Sequence, residues 1–126
     1  MVIWHAQRKR KISGSLFKKK RNKKKFELGR NPALTKVSEK PRVRKVRTLG
    51  GTKKLCAYRL KIANVLDSKT KKFQKVEIKK VIENKANRHF ARRDVVTKGA
   101  IIETTIGKAR VTNSPGQDGT INAILI

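Results

Sequence analysis

Alternation of apolar and polar residues predicts two strands in the middle of the chain. Within residues 55–66, a period of two places four side chains on one face: Cys56, Tyr58, Leu60 and Ile62. That period is typical of a strand with one buried face. Residues 73–82 alternate in the same way, and although their Glu and Lys content leaves a helix open, their β-branched content favours a strand. The polar segments 67–70 and 84–87 are predicted as a turn and a loop.

The last third of the chain is predicted to be β structure as well. β-branched residues predominate in 100–106, a second run covers 108–112, and an apolar run covers 120–126. The segment 113–119, Asn-Ser-Pro-Gly-Gln-Asp-Gly, is the strongest turn signal in the chain. Several short strands separated by Gly-rich turns are typical of a small antiparallel β-barrel or sandwich. The predicted fold class is therefore mainly β.

Before this body, apolar residues stand singly among charges. Residues 1–36 contain 13 Lys or Arg residues and one acidic residue, Glu27. Gly14 and the Gly29–Pro32 segment interrupt any helix. Phe17 and Phe26 stand among the cations, where they could stack on bases or anchor this segment to the body. We therefore expect an extended basic arm over residues 1–36, called the basic arm below, and a β domain over residues 37–126.

A basic strand and a turn are predicted near the start of the β domain. Val43, Val46 and Leu49 are spaced among four cations, and Gly50-Gly51 then breaks the run. Glycine pairs of this kind mark tight turns because they adopt positive φ without steric cost. The segment is therefore expected to present positive charge on a regular scaffold.

The charge of the chain predicts a polyanionic partner. The net charge is +27 over 126 residues, and 20 of the first 54 residues are Lys or Arg against two acids. Residues 18–25 alone hold seven cations in eight positions. Such a density exceeds what solubility requires, and the matching polyanion in a soluble protein is a nucleic-acid backbone.

The candidate binding residues are the cations of the basic arm and of the first predicted strand and turn. Arginine forms forked hydrogen bonds to phosphate and lysine supplies point charge. The predicted RNA contacts are Arg8, Arg10, Lys11, Lys18, Lys20, Arg21, Lys24, Arg30, Arg42, Arg44, Arg47, Lys53 and Lys54. A second, less strongly indicated patch consists of Arg88, Arg92 and Arg93.

Catalysis, metal binding and membrane insertion find little support in the sequence. The single cysteine, Cys56, alternates with Tyr58 and is predicted to be a core residue in a reducing compartment. The histidines, His5 and His89, lack a neighbouring nucleophile, and the acids are dispersed without paired spacing. No apolar run approaches a membrane span, and no signal peptide is recognisable. We expect no enzyme activity, no cofactor and no metal.

Three blocks of sequence, taken in order, resemble a known family. The first joins Arg8–Lys11 and Ser13-Gly14 to a Lys-rich run that ends in Phe26–Ala33. The second is Val43–Lys54, and the third is Val96–Thr104. Together they resemble the e-type small-subunit ribosomal protein eight of archaea and eukaryotes. The ending, Gly107–Thr112 and Pro115–Gly119, is similar to the archaeal branch.

The resemblance implies a structural protein of the small ribosomal subunit. It implies a compact β domain with a basic arm, small-subunit ribosomal RNA and neighbouring ribosomal proteins as partners, and a cytoplasmic location on the ribosome. The absence of the large insertion that eukaryotic members tend to carry suggests an archaeal source. A chromatin or DNA-compacting basic protein is the alternative that the charge alone leaves open, and it would favour duplex DNA over structured RNA.

Overall fold

The computed structural model describes residues 3–5, 10–18, 21–48 and 50–126 of the chain. The chain separates into two compact units, residues 1–32 and residues 33–126. In the first unit the described regular structure is one 3-10 turn, Lys25–Glu27. Backbone hydrogen bonds link Ile3 with Gly29 and His5 with Glu27. Among the described residues of this unit only Gly29 is buried, so they form no hydrophobic core.

The second unit is mainly β, which confirms the predicted fold class. Its described residues form two short helices and eight strands, and the strands make up most of the architecture. The helices are α1 (Arg88–Arg92) and α2 (Pro115–Asp118). The strands are β1 (Lys36–Val37), β2 (Arg42–Arg47), β3 (Lys53–Leu60), β4 (Ile62–Leu66), β5 (Phe73–Glu83), β6 (Ile101–Thr104), β7 (Lys108–Val111) and β8 (Asn122–Leu125).

Strands β4 to β8 close into a barrel in the order β4-β5-β6-β7-β8. Neighbouring strands are antiparallel except at the closure, where β8 runs parallel to β4 and Leu66 lies opposite Ile124. The interior is filled by inward-facing β-branched and small side chains, of which Ile78, Ile102 and Ile121 are the largest fully buried ones. Closure leaves none of these five strands with an unpaired edge.

One predicted strand is divided in two by the structure. The segment 55–66 was expected to keep Cys56, Tyr58, Leu60 and Ile62 on one buried face, but β3 ends at Leu60 and β4 begins at Ile62. Ile62 is 56% exposed, whereas Ala63 and Val65 are buried. The prediction for Ile62 is wrong because the chain passes from the three-stranded sheet into the barrel at this point. From here the odd-numbered residues, Ala63 and Val65, point into the core in place of the even-numbered ones.

The remaining strands form a three-stranded sheet in the order β1-β3-β2. β2 and β3 form an antiparallel hairpin, residues 42–60, called the basic hairpin below. Its turn contains Gly50 and Gly51, both with φ near +85°, as the glycine pair predicted. Thr48 supports the turn, since its backbone N–H donates to the carbonyl of Thr52 at 2.7 Å. The predicted basic strand and turn are confirmed.

The connections are ordered by side-chain hydrogen bonds. The predicted turn at 67–70 is present, and Asp67 accepts hydrogen bonds there from the backbone N–H of Lys69 and the hydroxyl of Thr70. These two bonds, the first above all, lower the pKa of Asp67. The predicted loop at 84–87 is also present, and the buried Asn84 side chain donates to the carbonyl of Val95 at 3.0 Å. The segment 113–119 forms the short helix α2 within its predicted turn.

Candidate nucleic-acid interface

The basic hairpin brings five of the predicted RNA contacts together. Arg42, Arg44, Arg47, Lys53 and Lys54 are all exposed on its two strands. Directly opposed residues of a pair of strands share a face. Arg47 lies opposite Lys53, so these two cations share one face of the hairpin. Lys54 lies opposite Val46, which is two positions from Arg44 on the same strand, so Lys54 and Arg44 share the other face. The hairpin thus presents cations from both faces, which suits it to lie between two phosphate backbones.

Three contacts position the basic hairpin within the second unit. The buried hydroxyl of Thr35 donates to the carbonyl of Ala57 at 2.6 Å. On β3, Leu55 packs so closely on Gly119 that a Cβ built at Gly119 would lie 2.6 Å from the Leu55 Cβ. Lys54 also donates to the side-chain oxygen of Gln117 at 3.3 Å. The cations therefore project from a positioned scaffold and not from a free loop.

Substitution of Gly119 is expected to weaken this attachment. Gly119 ends α2 with φ of +76°, so Gly119→Ala introduces both left-handed strain and a collision with Leu55. Strain costs about 1–2 kcal/mol, and overpacking adds about 1–3 kcal/mol. We expect the free energy of unfolding, measured by urea denaturation, to fall by about 2–5 kcal/mol.

Gly99 provides the matched control for this experiment. It has φ of +81°, but a Cβ built on it meets nothing within 4 Å. Gly99→Ala should therefore show the cost of strain alone, about 1–2 kcal/mol. If Gly119→Ala and Gly99→Ala lower the free energy of unfolding by the same amount, the contact between Gly119 and Leu55 contributes nothing to the attachment of the hairpin.

The predicted contacts of the basic arm are exposed wherever they are described: Arg10, Lys11, Lys18, Arg21, Lys24 and Arg30. Arg8 and Lys20 lie outside the described residues. Arg21 forms an ion pair with Glu27, so its charge is partly neutralised. The backbone N–H of Lys24 and this Arg21 contact lower the pKa of Glu27.

The two aromatic rings singled out in the basic arm contact cations. Lys11 lies 5.9 Å from the Phe17 ring centroid, and Arg21 and Lys24 lie 5.7 and 6.0 Å from that of Phe26. Phe26 remains 77% exposed. Cations held over a ring in this way are close to any phosphate of a base that stacks there. Base stacking by these two rings stays a prediction.

The second predicted patch lies on α1, a helix that the sequence analysis missed. Arg88 and Arg92 are one helical turn apart and Arg93 follows, and all three are exposed. Asn87 caps the helix, since its side-chain oxygen accepts from the backbone N–H of His89 at 2.9 Å. An Asn at that position is the signal that could have indicated the helix. His89 is exposed, as expected of a surface histidine.

Acidic residues neutralise only a small part of the positive surface. Among the described residues, the ion pairs involve four acids, Glu27, Glu39, Glu77 and Glu103, each within 4 Å of an Arg or Lys nitrogen. Lys61 takes two of them and Lys80 one. The chain has 35 Lys and Arg residues, so most of its cations have no carboxylate to compensate them. This excess of charge favours a polyanion on the outside of the protein.

The described part of the chain contains neither a cluster of metal-binding side chains nor a helix that could span a membrane. No three His, Cys, Asp or Glu side chains there lie close enough to hold a metal ion. Cys56 is buried on β3, as predicted for a core thiol. No helix among the described residues is long and apolar enough to cross a bilayer.

The fold and its surface define a small basic β-barrel protein with an exposed cationic hairpin. The model of the ribosomal protein S8e family matches residues 4–126, so the chain belongs to that family. It is similar to small ribosomal subunit protein eS8 of Methanococcus aeolicus, with 48% identity over 100% of this chain and 98% of the relative. The protein of the same name from Methanocorpusculum labreanum is also 48% identical, over 99% of each chain.

These comparisons confirm the resemblance inferred from the three sequence blocks. Both relatives come from archaea, as the similarity of the ending to the archaeal branch indicated. Their names describe ribosomal proteins and not enzymes, in agreement with the expectation of no enzyme activity.

Proposed function

We propose that this protein is a structural constituent of the small ribosomal subunit and binds ribosomal RNA. The observation that carries the proposal is the basic hairpin, on which five exposed cations project from both faces of a positioned scaffold. Membership of the S8e family and the names of the relatives support the ribosomal assignment. Neighbouring ribosomal proteins are the expected protein partners, and the cytoplasmic ribosome is the expected location.

The binding mechanism is electrostatic and architectural. Each Lys or Arg that reaches a phosphate releases condensed counterions, which favours binding. The β domain, residues 37–126, holds the hairpin in place, and the basic arm, residues 1–36, adds cations along the RNA. Phosphate contacts set position without reading bases, so recognition depends mainly on the shape of the folded RNA.

Binding assays with two nucleic acids test this proposal. Filter binding should be measured on small-subunit ribosomal RNA and on duplex DNA of equal length, across a series of salt concentrations. We expect tighter binding to the RNA, with log affinity falling linearly against log salt by about 0.7–0.9 per phosphate contact. Tagged protein should also sediment with the small subunit from a lysate. Preference for duplex DNA, or sedimentation with the nucleoid, would support a chromatin protein instead.

A further inference from the structure

A shallow groove lies on the outer face of the barrel, at a place where sequence analysis assigned no function. It is called the outer groove here and is lined mainly by Asn64, Leu66, Phe73, Asn122 and Ile124. Leu66 of β4 lies opposite Phe73 of β5 on one side and Ile124 of β8 on the other. These three apolar side chains therefore form a row across three strands.

Two of the three side chains in the apolar row are exposed, although the barrel core is complete without them. Phe73 is 73% exposed and Ile124 is 39% exposed, whereas their neighbours Val65 and Ala123 fill the interior. An aromatic ring on the solvent face of a closed barrel contributes little to the core, and its hydrocarbon surface is unfavourable in water. The row spans two interstrand spacings, about 10 Å, which is on the scale of a single nucleobase.

A polar row runs beside the apolar one. Asn64 lies opposite Asn122 on β8 and opposite Lys75 on β5. The Asn64 amide donates to the Asn122 side-chain oxygen at 3.1 Å. Among the described hydrogen bonds, this leaves the amide oxygen of Asn64 and further N–H donors of both side chains for another partner. The edge of a base carries both hydrogen-bond donors and acceptors, so a side-chain acceptor next to side-chain donors can bind it.

Cations flank the outer groove on both sides. Phe73 is preceded by Lys71 and Lys72 and followed two residues later by Lys75. On the other side of the groove, Arg110 of β7 lies opposite Ile124. None of these four forms a salt bridge among the described residues. The nearest acid in sequence, Asp67, is held within its turn by two hydrogen bonds. The surroundings of the groove therefore complement a polyanion.

Closure of the barrel argues against a peptide strand as the occupant. β4, β5 and β8 are each paired on both sides, so they offer no free edge to which a strand could be added. A stacking ring, hydrogen-bonding amides and flanking cations are instead the combination with which proteins hold unpaired nucleotides.

We infer that the outer groove binds one unpaired base of ribosomal RNA. The base stacks on Phe73, its edge is hydrogen-bonded by Asn64 and Asn122, and the adjoining phosphates contact Lys75 and Arg110. This inference rests on the proposed function, because it assigns one nucleotide of the same RNA to a second surface. It gives the protein a means of recognising a base in addition to reading RNA shape.

The test compares Phe73→Ala with Ile62→Ala in filter binding to small-subunit ribosomal RNA. Ile62 is an exposed apolar residue of the same barrel face and lies opposite Glu77, outside the groove. Loss of one stacked base should weaken RNA binding about 5- to 150-fold in Phe73→Ala and leave Ile62→Ala unchanged. The dependence of affinity on salt should stay the same, because no phosphate contact is removed.

A fluorescence measurement gives an independent readout of stacking. The chain has one tryptophan, Trp4, so the double variant Trp4→Phe with Phe73→Trp carries its only indole in the outer groove. RNA should quench this fluorescence and bind with near-parental affinity. Absence of quenching while the RNA is bound would overturn the inference.

The outcomes separate the inference from the proposed function. If the parental protein does not bind ribosomal RNA in a salt-dependent manner, the proposed function fails. If it binds and Phe73→Ala binds equally well, only the outer-groove inference fails. Unchanged RNA affinity together with poor incorporation of Phe73→Ala into small subunits reconstituted with the other ribosomal proteins would assign the groove to a protein, and would likewise overturn the inference.

Discussion

Deletion of residues 120–126 is expected to abolish cooperative unfolding. β8 lies between β7 and β4, so its removal takes away two ladders of hydrogen bonds and opens the barrel. It also removes Ile121, which is 1% exposed, and the buried Ala123. Burial of one isoleucine contributes about 1.5–3 kcal/mol, and the two broken ladders add to this. The total approaches the stability of a small domain, about 5–15 kcal/mol.

Thermal unfolding followed by circular dichroism and calorimetry measures this effect. Two single substitutions in the same segment serve as controls. Ile121→Ala removes a buried side chain and should cost about 2–5 kcal/mol. Ile124→Ala alters an outward-facing one and should cost less than about 1 kcal/mol. A truncated protein that melts cooperatively near the parental temperature would show that β8 does not hold the barrel closed.

Neutralisation of the basic hairpin is expected to remove most of the affinity for ribosomal RNA. The variant replaces Arg42, Arg44, Arg47, Lys53 and Lys54 with Gln. If each cation contacts a phosphate, the slope of log affinity against log salt should become shallower by about 3.5–4.5 units, and affinity near 0.1 M salt should fall about 1,000-fold or more. All five side chains are exposed, and the Thr35–Ala57 and Leu55–Gly119 contacts that position the hairpin are unchanged, so the fold should remain intact.

A pair of double variants controls for net charge. Arg44→Gln with Lys54→Gln removes two hairpin cations, whereas Lys61→Gln with Lys80→Gln removes two cations that carboxylates already neutralise. Both pairs change the formal charge by the same amount, but only the first should change the salt slope, by about 1.4–1.8 units. Equal effects of the two pairs would mean that the hairpin acts through general charge and not through placed contacts.

The strands that sequence predicted well are those whose signals are local. β5 alternates through Val76 and Ile78, which are both buried, and the β2–β3 turn carries two glycines in the conformation that only glycine adopts freely. The end of β3 and the start of β4 on either side of Lys61 could not be predicted from a local signal of this kind. Cys56, Tyr58, Leu60 and Ile62 satisfy a period of two through this point, and only the move from one sheet to another changes which parity is buried. Helix α1, with five residues, is too short to establish a helical period.

The same distinction separates the two candidate sites. The cations of the basic hairpin are neighbours in sequence, so their charge density predicted an interface, although their division between two faces required the strand register. The outer groove was missed because its parts meet only through pairing. Leu66 and Phe73 are joined across one hairpin, but Ile124 reaches them through a parallel ladder that no local pattern indicates.

The parallel closure between β4 and β8 also sets the order of events during synthesis. Asn64 and Asn122 pair across 58 residues of chain, and every other barrel strand is made before β8. At about 5–20 residues per second, the edge of β4 waits roughly 3–12 s for its partner. The basic arm, which precedes β4 in the chain, is complete before that interval begins. On the proposed function, newly made protein would therefore attach to RNA as a cationic chain first and complete its barrel afterwards.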